Sequence, residues 1–178
     1  MEIHFKGGFL RPWNAGDAKE LALIADKKNI ADNLRDLFPN PYSIDDARQW
    51  LSMALEQEGP ARYFAIIADG RLAGSIGLTP KTDIYRKNSE VGYFIAEEFQ
   101  GRGIATNALV AITAYAFRTF DIIRVYAEPF ADNIRSRRVL EKAGFTLEAT
   151  FKKYVIKNGL IKDSCIYSVL VENFREPD

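Results

Sequence analysis

From Asp17 to about Glu58 apolar residues recur at helical spacing, first as Leu21, Ile24 and Ala25, then as Ala47, Trp50, Leu51, Ala54 and Leu55. The stretch FPNPYS separates the two runs, because Pro39 and Pro41 lack the amide proton a continuing helix needs. The period then changes. In ARYFAIIADGRLAGSIGLT two β-prone runs flank Asp69-Gly70, a pair that tolerates the positive φ required at both central positions of a type I′ turn. An antiparallel hairpin is expected there.

Further on, SEVGYFIA reads as a strand and GIATNALVAITAYAF as a helix with Ile104, Ala108, Ile112 and Tyr115 on one side. IIRVYAEPF reads as a strand again. DNIRSRRVLEKAGF reads as a short helix with Asp132 or Asn133 as its N-cap and Gly144 at its C-terminal stop, followed by Phe145 as a core anchor. The remainder, FTLEATFKKYVIKNGLIKDSCIYSVLVENF, predicts a second hairpin turning at Asn158-Gly159. This order of helices, strands, then alternating strands and helices predicts an α/β class, mixed α+β, built on one central sheet.

Composition narrows the picture. A chain of 178 residues, 47% hydrophobic and 27% charged, suits a single folded domain over 1–178. Lysine plus arginine equal aspartate plus glutamate at 24 each, so no whole-chain field attracts nucleic acid or anionic lipid. An anionic ligand must be held by local geometry. The one cysteine, Cys165, excludes an internal disulfide, and with the one histidine, His4, it argues against a metal site of zinc type. The opening MEIHFKGGF lacks the apolar core of a secretory signal, and no run approaches the ~20 apolar residues that span a bilayer. A soluble protein of the reducing cytoplasm is expected, with no nucleic-acid or membrane partner.

The candidate chemistry lies in EEFQGRGIATNAL, residues 97–109. Glycines at a strand-to-helix junction let a ligand approach the backbone, and the helix start offers unpaired amides and a favourable dipole. An anion, most often a phosphate, suits such a place, although Gly101 and Gly103 also suit a tight turn and Arg102 a solvated position. A Walker loop would need a lysine before its Ser or Thr, and GRGIAT has none. A dinucleotide fingerprint would place a small residue where Thr106 stands and would not interpose the polar spacer Glu97 to Gln100. A third pattern fits: Gln or Arg, any two residues, Gly, any residue, Gly or Ala, satisfied by Gln100, Gly101, Arg102, Gly103, Ile104 and Ala105.

That loop resembles the pyrophosphate-binding loop of the GNAT superfamily of acetyl-CoA-dependent N-acetyltransferases. SEVGYFIAEEFQGRGIATNAL, DNIRSRRVLEKAGF and LRPWNAGDAKEL are similar to the branch that holds the ribosomal-protein N-terminal acetyltransferases and their small-molecule relatives. The resemblance runs from about Phe9 to Val171 and is most specific between Glu90 and Phe145.

The resemblance implies a mostly antiparallel central sheet with one splayed parallel strand pair, flanked by helices. It implies that backbone around Phe94, Ile95 and Ala96 pairs with the pantetheine arm. The loop and helix start, Gln100 through Thr106, would hold the pyrophosphate, with the amides from Arg102 to Ala105 as donors. Asn133 matches a residue that hydrogen-bonds the cofactor's amide arm, and Ser136 one placed near the thioester sulfur, where it can protonate the leaving thiolate. Glu90 matches a carboxylate that accepts the amine proton through water. Each has a plainer role open to it: helix cap for Asn133, first-turn residue for Ser136, solvated strand-end charge for Glu90.

The implied function is direct acetyl transfer from acetyl-CoA to a primary amine, at a protein N-terminus or on a small molecule, with acetyl-CoA as co-substrate and no metal. Two alternatives stand beside it, a catalytically silent acyl-CoA-binding module and, further off, a dinucleotide-binding oxidoreductase. A homodimer through the exposed edges of the terminal hairpin is possible. Other residues carry less. Cys165 sits in the alternating run SCIYSVLV as an inward-facing small residue, and His4 suits a surface or strand position. Arg135, Arg137 and Arg138 are in part a solvated helix face, while Tyr42 and Tyr154 serve packing as readily as an acceptor pocket.

Overall fold

The computed structural model describes residues 1–175. Its elements are β1 (Ile3–Phe5), β2 (Gly8–Pro12), α1 (Ala18–Ala25), α2 (Lys28–Ala31), α3 (Ile44–Leu55), β3 (Tyr63–Ala68), β4 (Arg71–Pro80), β5 (Asn88–Ile95), α4 (Ile104–Thr119), β6 (Arg124–Ala127), α5 (Ile134–Lys142), β7 (Thr146–Lys157) and β8 (Leu160–Leu170). The strands follow one hydrogen-bonded order, β1-β2-β3-β4-β5-β6-β8-β7. The fold is mixed α/β with a mostly antiparallel sheet, and β5 and β6 form its parallel pair. Their register runs from Asn88↔Arg124 to Glu90↔Tyr126, while β5 itself continues to Ile95. The chain's contacts divide it into two compact units, Met1–Gly77 with Tyr93–Ala108, and Leu78–Gly92 with Leu109–Asp178.

In the first unit the Asp69-Gly70 turn forms as the sequence predicts, with φ of 50° and 71°. Leu21, Ile24 and Ala25 of α1 and Ala47 and Leu51 of α3 are buried, and so are Leu10, Phe64 and Ile66 of the strands. Trp13 meets Trp50 edge to face at 5.4 Å. Ser43 caps α3, its hydroxyl accepting from the Asp46 amide at 3.1 Å. The β1–β2 hairpin was not foreseen. Its strands pair Ile3↔Leu10 through Phe5↔Gly8 around Lys6-Gly7, and a three-residue strand is too short for alternation to register.

In the second unit the Asn158-Gly159 turn joins β7 to β8 with φ of 51° and 75°. Leu109, Ile112 and Ala116 of α4, Leu140 of α5, Phe145 and Tyr167 are all buried, so Phe145 is the core anchor its position suggests. The strand expected over IIRVYAEPF is shorter, ending at Ala127. Pro129 has no amide proton to continue a ladder, and beyond it only an isolated bridge joins Phe130 to Ser164. The chain there is held by the Pro129 carbonyl, which accepts from the Cys165 amide, and by the Ala131 amide, which donates to Asp163.

Candidate active site

The loop between β5 and α4 belongs to the first unit. The Gln100 side-chain amide donates to the Ile95 carbonyl at 3.0 Å, which folds the loop start back onto the end of β5. Gly101 and Gly103 take φ of 75° and 79°, and a Cβ on either would meet nothing within 4 Å. Both glycines therefore serve a left-handed backbone with open space beside it. The Asn107 amide donates to the Gly103 carbonyl at 3.1 Å, so the amides of Ile104, Ala105 and Thr106 ahead of it have no partner of their own within α4. Asn107 Nδ2 also donates to the Lys6 carbonyl at 2.7 Å, anchoring the helix start to the β1–β2 turn. Two positive-φ glycines in open space leading into a helix start fit a diphosphate without displacing any side chain.

Arg102 is already engaged. Its guanidinium donates to Asp69 Oδ2 at 2.7 Å and lies 5.3 Å from the centroid of Phe99. Arg71 lies over the same ring at 4.8 Å. Asp69, read in the sequence only as a turn residue, is thus a neighbour of the loop that sequence reasoning missed.

The end of β5 is fixed by backbone contact with β4. The Ala96 amide donates to the Ala73 carbonyl at 2.8 Å. A Cβ on Gly74 would stand 2.2 Å from the Phe94 carbonyl oxygen, so glycine is what lets the two strands approach. Because backbone groups alternate edges along a strand, Ala96 addresses β4 and the Ile95 amide faces the other way. The Phe94 ring stands edge-on to Phe38 at 5.7 Å.

The remaining candidates belong to the second unit. One face of the β5–β6 pair carries Asn88, Glu90 and Gly92 beside Arg124 and Tyr126, whereas Ser89, Val91, Val125 and Ala127 on the other face are buried. Glu90 is not the solvated strand-end charge the sequence allows. Its carboxylate accepts from Lys81 Nζ at 2.8 Å, and its side chain is only 15% exposed. Burial lowers the Lys81 pKa, but hydrogen bonds to Glu90 and Tyr126 outweigh it and the net shift is upward. The Tyr126 ring carries Lys81 at 5.6 Å and Arg124 at 5.0 Å. Arg124 also donates to Asn88 at 3.2 Å and to Glu148, and that bond holds the Glu148 carboxyl below its ordinary range against the effect of burial. A cavity of about 410 Å³ opens here, lined by Lys81, Thr82, Tyr85, Asn88, Arg124 and Tyr126. Gly92 adds a second opening on this face, since a Cβ there would meet nothing within 4 Å.

On α5 the structure brings Asn133 and Ser136 together. Asn133 is the N-cap, its Oδ1 accepting from the Ser136 amide at 3.2 Å, and Ser136 is partly buried. The arginine cluster separates: Arg135 and Arg138 are exposed, while Arg137 donates to Tyr167 Oη at 3.0 Å and to the Ala131 carbonyl at 2.9 Å. Tyr167 in turn donates to Glu141 at 2.8 Å. Cys165 is buried 3.6 Å from Thr150 Oγ1, and His4 is an exposed residue of β1. Tyr42 is buried, its pKa pushed up to about 12 by burial and by the Asp46 charge, whereas Tyr154 is exposed. Among the described residues no cluster of His, Cys, Asp and Glu is arranged to hold a metal, and no helix is long and apolar enough to cross a membrane.

Comparison with known proteins places this arrangement. The profile of the Acetyltransferase (GNAT) domain matches residues 9–146. The "Putative ribosomal N-acetyltransferase YdaF" of Bacillus subtilis (strain 168) is 34% identical over 136 residues, 74% of this chain and 73% of that protein. The ribosomal-protein-serine acetyltransferase of Escherichia coli (strain K12) is 28% identical over 133 residues, 74% of each chain. Among solved structures, RimL, a ribosomal L7/L12 alpha-N-protein acetyltransferase in complex with coenzyme A, superposes with a TM-score of 0.86 at 22% identity, covering 97% of this chain and 99% of that one. Over most of its length, then, this chain belongs to the GNAT acetyltransferase family.

Proposed function

We propose that this enzyme transfers an acetyl group from acetyl-CoA directly to an α-amino group, acting as one acetyltransferase domain in the cytoplasm. The observation that carries the cofactor assignment is the loop at Gly101 and Gly103, where positive φ, open space and the unpaired first amides of α4 coincide. Bound there, acetyl-CoA supplies an activated thioester carbonyl. The chain's own groups do the rest. Gln100, Gly101, Arg102, Gly103, Ile104, Ala105 and Thr106 hold the diphosphate, and the backbone of Phe94, Ile95 and Ala96 aligns the pantetheine arm. Asn133 binds an amide of that arm while capping α5, and Ser136, directly or through a water that restores its own proton, passes a proton to the departing sulfur as the C–N bond forms and the C–S bond breaks.

Glu90 receives the amine's proton through water. One of its oxygens accepts from Lys81, and a base that acts only through water suits an amine that loses its proton readily. Freeing a lysine-type amine of its proton at pH 7 costs about 4–5 kcal/mol, against about 1 kcal/mol for a peptide α-amine. An α-amine therefore matches this site better, and the ribosomal N-acetylation in the names of YdaF and RimL agrees with it. The test is release of free thiol from acetyl-CoA with peptides bearing a free N-terminus, compared with peptides whose only amine is a lysine side chain. Faster release from the former supports the assignment. Acetyl-CoA binding without release from either would make the chain a silent acyl-CoA-binding module.

A further inference from the structure

We infer that the cavity beside Tyr126 is a second recognition point for the acceptor and takes a carboxylate carried by the molecule that presents the amine. This rests on the acetyltransferase function above and on Glu90 facing that amine.

Four observations converge on an anion. The lining residues supply two cations, Lys81 and Arg124, with the neutral side chains of Thr82, Tyr85, Asn88 and Tyr126, and no carboxylate. Both cations are fixed in place over one aromatic ring, 5.6 and 5.0 Å from its centroid. The carboxylates that neutralise them, Glu90 and Glu148, are not among the lining residues. Finally, neither cation is used up. An ammonium has three donors and a guanidinium five, whereas Glu90 and Tyr126 take one each from Lys81, and Asn88 and Glu148 take one each from Arg124.

Side-chain exposures of 30% for Lys81 and 23% for Arg124 put these donors in a partly desolvated place, where a charge-assisted bond is stronger than on an open surface. A chain with equal numbers of acidic and basic residues exerts no long-range pull on an acid, so selection must come from such a local site.

Spacing identifies the kind of acceptor. Asn88 in the cavity wall and Glu90 share one face of β5, two residues and so about 7 Å apart. That is about the reach from an α-amine to an acid on the same or the following residue. The ligand class is an α-amine with a nearby carboxylate, either an acidic amino acid or a peptide with an acidic second residue.

The test uses the full chain with acetyl-CoA and two matched pairs: the amidated peptides Ala-Glu-Ala-Ala and Ala-Gln-Ala-Ala, and free glutamate with glutamine. The second pair distinguishes a small-molecule from a peptide source. In the wild type, kcat/KM for the acidic member of at least one pair should exceed that of its amide twin about tenfold, as expected for a hydrogen bond to a charged group. In Arg124→Gln and in Lys81→Met that ratio should fall towards 1, a comparison internal to each protein and so insensitive to partial loss of fold. Equal handling of both pairs by the wild type, or a ratio unchanged in both variants, overturns the inference. Calorimetric titration of the same ligands onto CoA-saturated protein reads the preference without turnover. Binding preference without thiol release would keep the acid site and overturn the transferase function instead.

Discussion

Arg102, in the loop that opens α4, donates to the carboxylate of Asp69 at 2.7 Å. The two residues are half-exposed, and the partner of the loop's cation is a side chain from the β3–β4 turn. A carboxylate beside a diphosphate site competes for the arginine and repels the ligand. Replacing Asp69 by Asn should therefore lower KM for acetyl-CoA. An exposed ion pair is worth up to about 1 kcal/mol, so the gain should be about two- to fivefold, with kcat little changed. Steady-state kinetics over acetyl-CoA concentration measure it; a raised KM would show that the pair holds the loop in shape.

Gly92 on β5 has no side chain where the strand face bearing Glu90 lies open. Its φ lies outside the left-handed range, so valine fits the strand there without backbone strain. Gly92→Val should melt at or slightly above the wild-type temperature, yet lose about tenfold or more in kcat/KM by filling the approach to the backbone. Activity that survives the substitution would mean no reactant passes that face.

For Glu90→Gln the informative quantity is the pH profile. At pH 7 the variant should be about tenfold slower with a peptide α-amine, and the deficit should close by about pH 9, where the amine is already neutral. The Lys81–Glu90 pair does not itself produce that profile. Lys81 has a raised folded pKa, so its contribution to stability is complete below its unfolded value of about 10.5 and fades only as pH rises through the folded one. A deficit independent of pH would leave Glu90 as the partner of Lys81 and nothing more.

Asn133 and Ser136 should separate stability from chemistry. Asn133→Ala removes the cap of α5 and should cost about 1 kcal/mol, a fall of about 2–4 °C in Tm. Ser136→Ala keeps the backbone amide that the cap uses, so α5 should keep its cap while the chemical step seen in single-turnover thiol release slows. An unchanged single-turnover rate removes Ser136 from the reaction.

Local signals were legible in the sequence; long-range pairings were not. Asp69-Gly70 and Asn158-Gly159 announced their hairpins because few pairs accept positive φ twice, and both adopt it. Asp132-Asn133 announced a helix start because short acceptor side chains favour the N-cap, and the structure selects Asn133 of the two. By contrast, Asp69 and Arg102 are 33 residues apart, and Lys81 reaches Glu90 from just beyond the end of β4, so no period or motif links either pair. Tyr126 lies in the strand run IIRVYAEPF, and nothing beside it in the sequence signals that Lys81 and Arg124 stand over its ring. β6 ends before the run IIRVYAEPF does, because alternation continues through Pro129 although the continuous ladder does not.

The most direct test of the account is thermal stability with acetyl-CoA and, separately, NAD, in the wild type, Gly103→Ala and Gly103→Glu. A side chain at Gly103 meets open space but must adopt a φ of 79°, so both variants carry the same strain of about 1–2 kcal/mol and only the second adds charge. At a hundredfold excess over Kd, acetyl-CoA should stabilise the wild type by about 2.7 kcal/mol, raising Tm by about 5–10 °C, and NAD should do nothing. Gly103→Ala should keep most of that shift and Gly103→Glu should lose it while still melting cooperatively. No response of the wild type to acetyl-CoA, or an undiminished response in Gly103→Glu, would contradict the assignment of this loop and with it the site built around it.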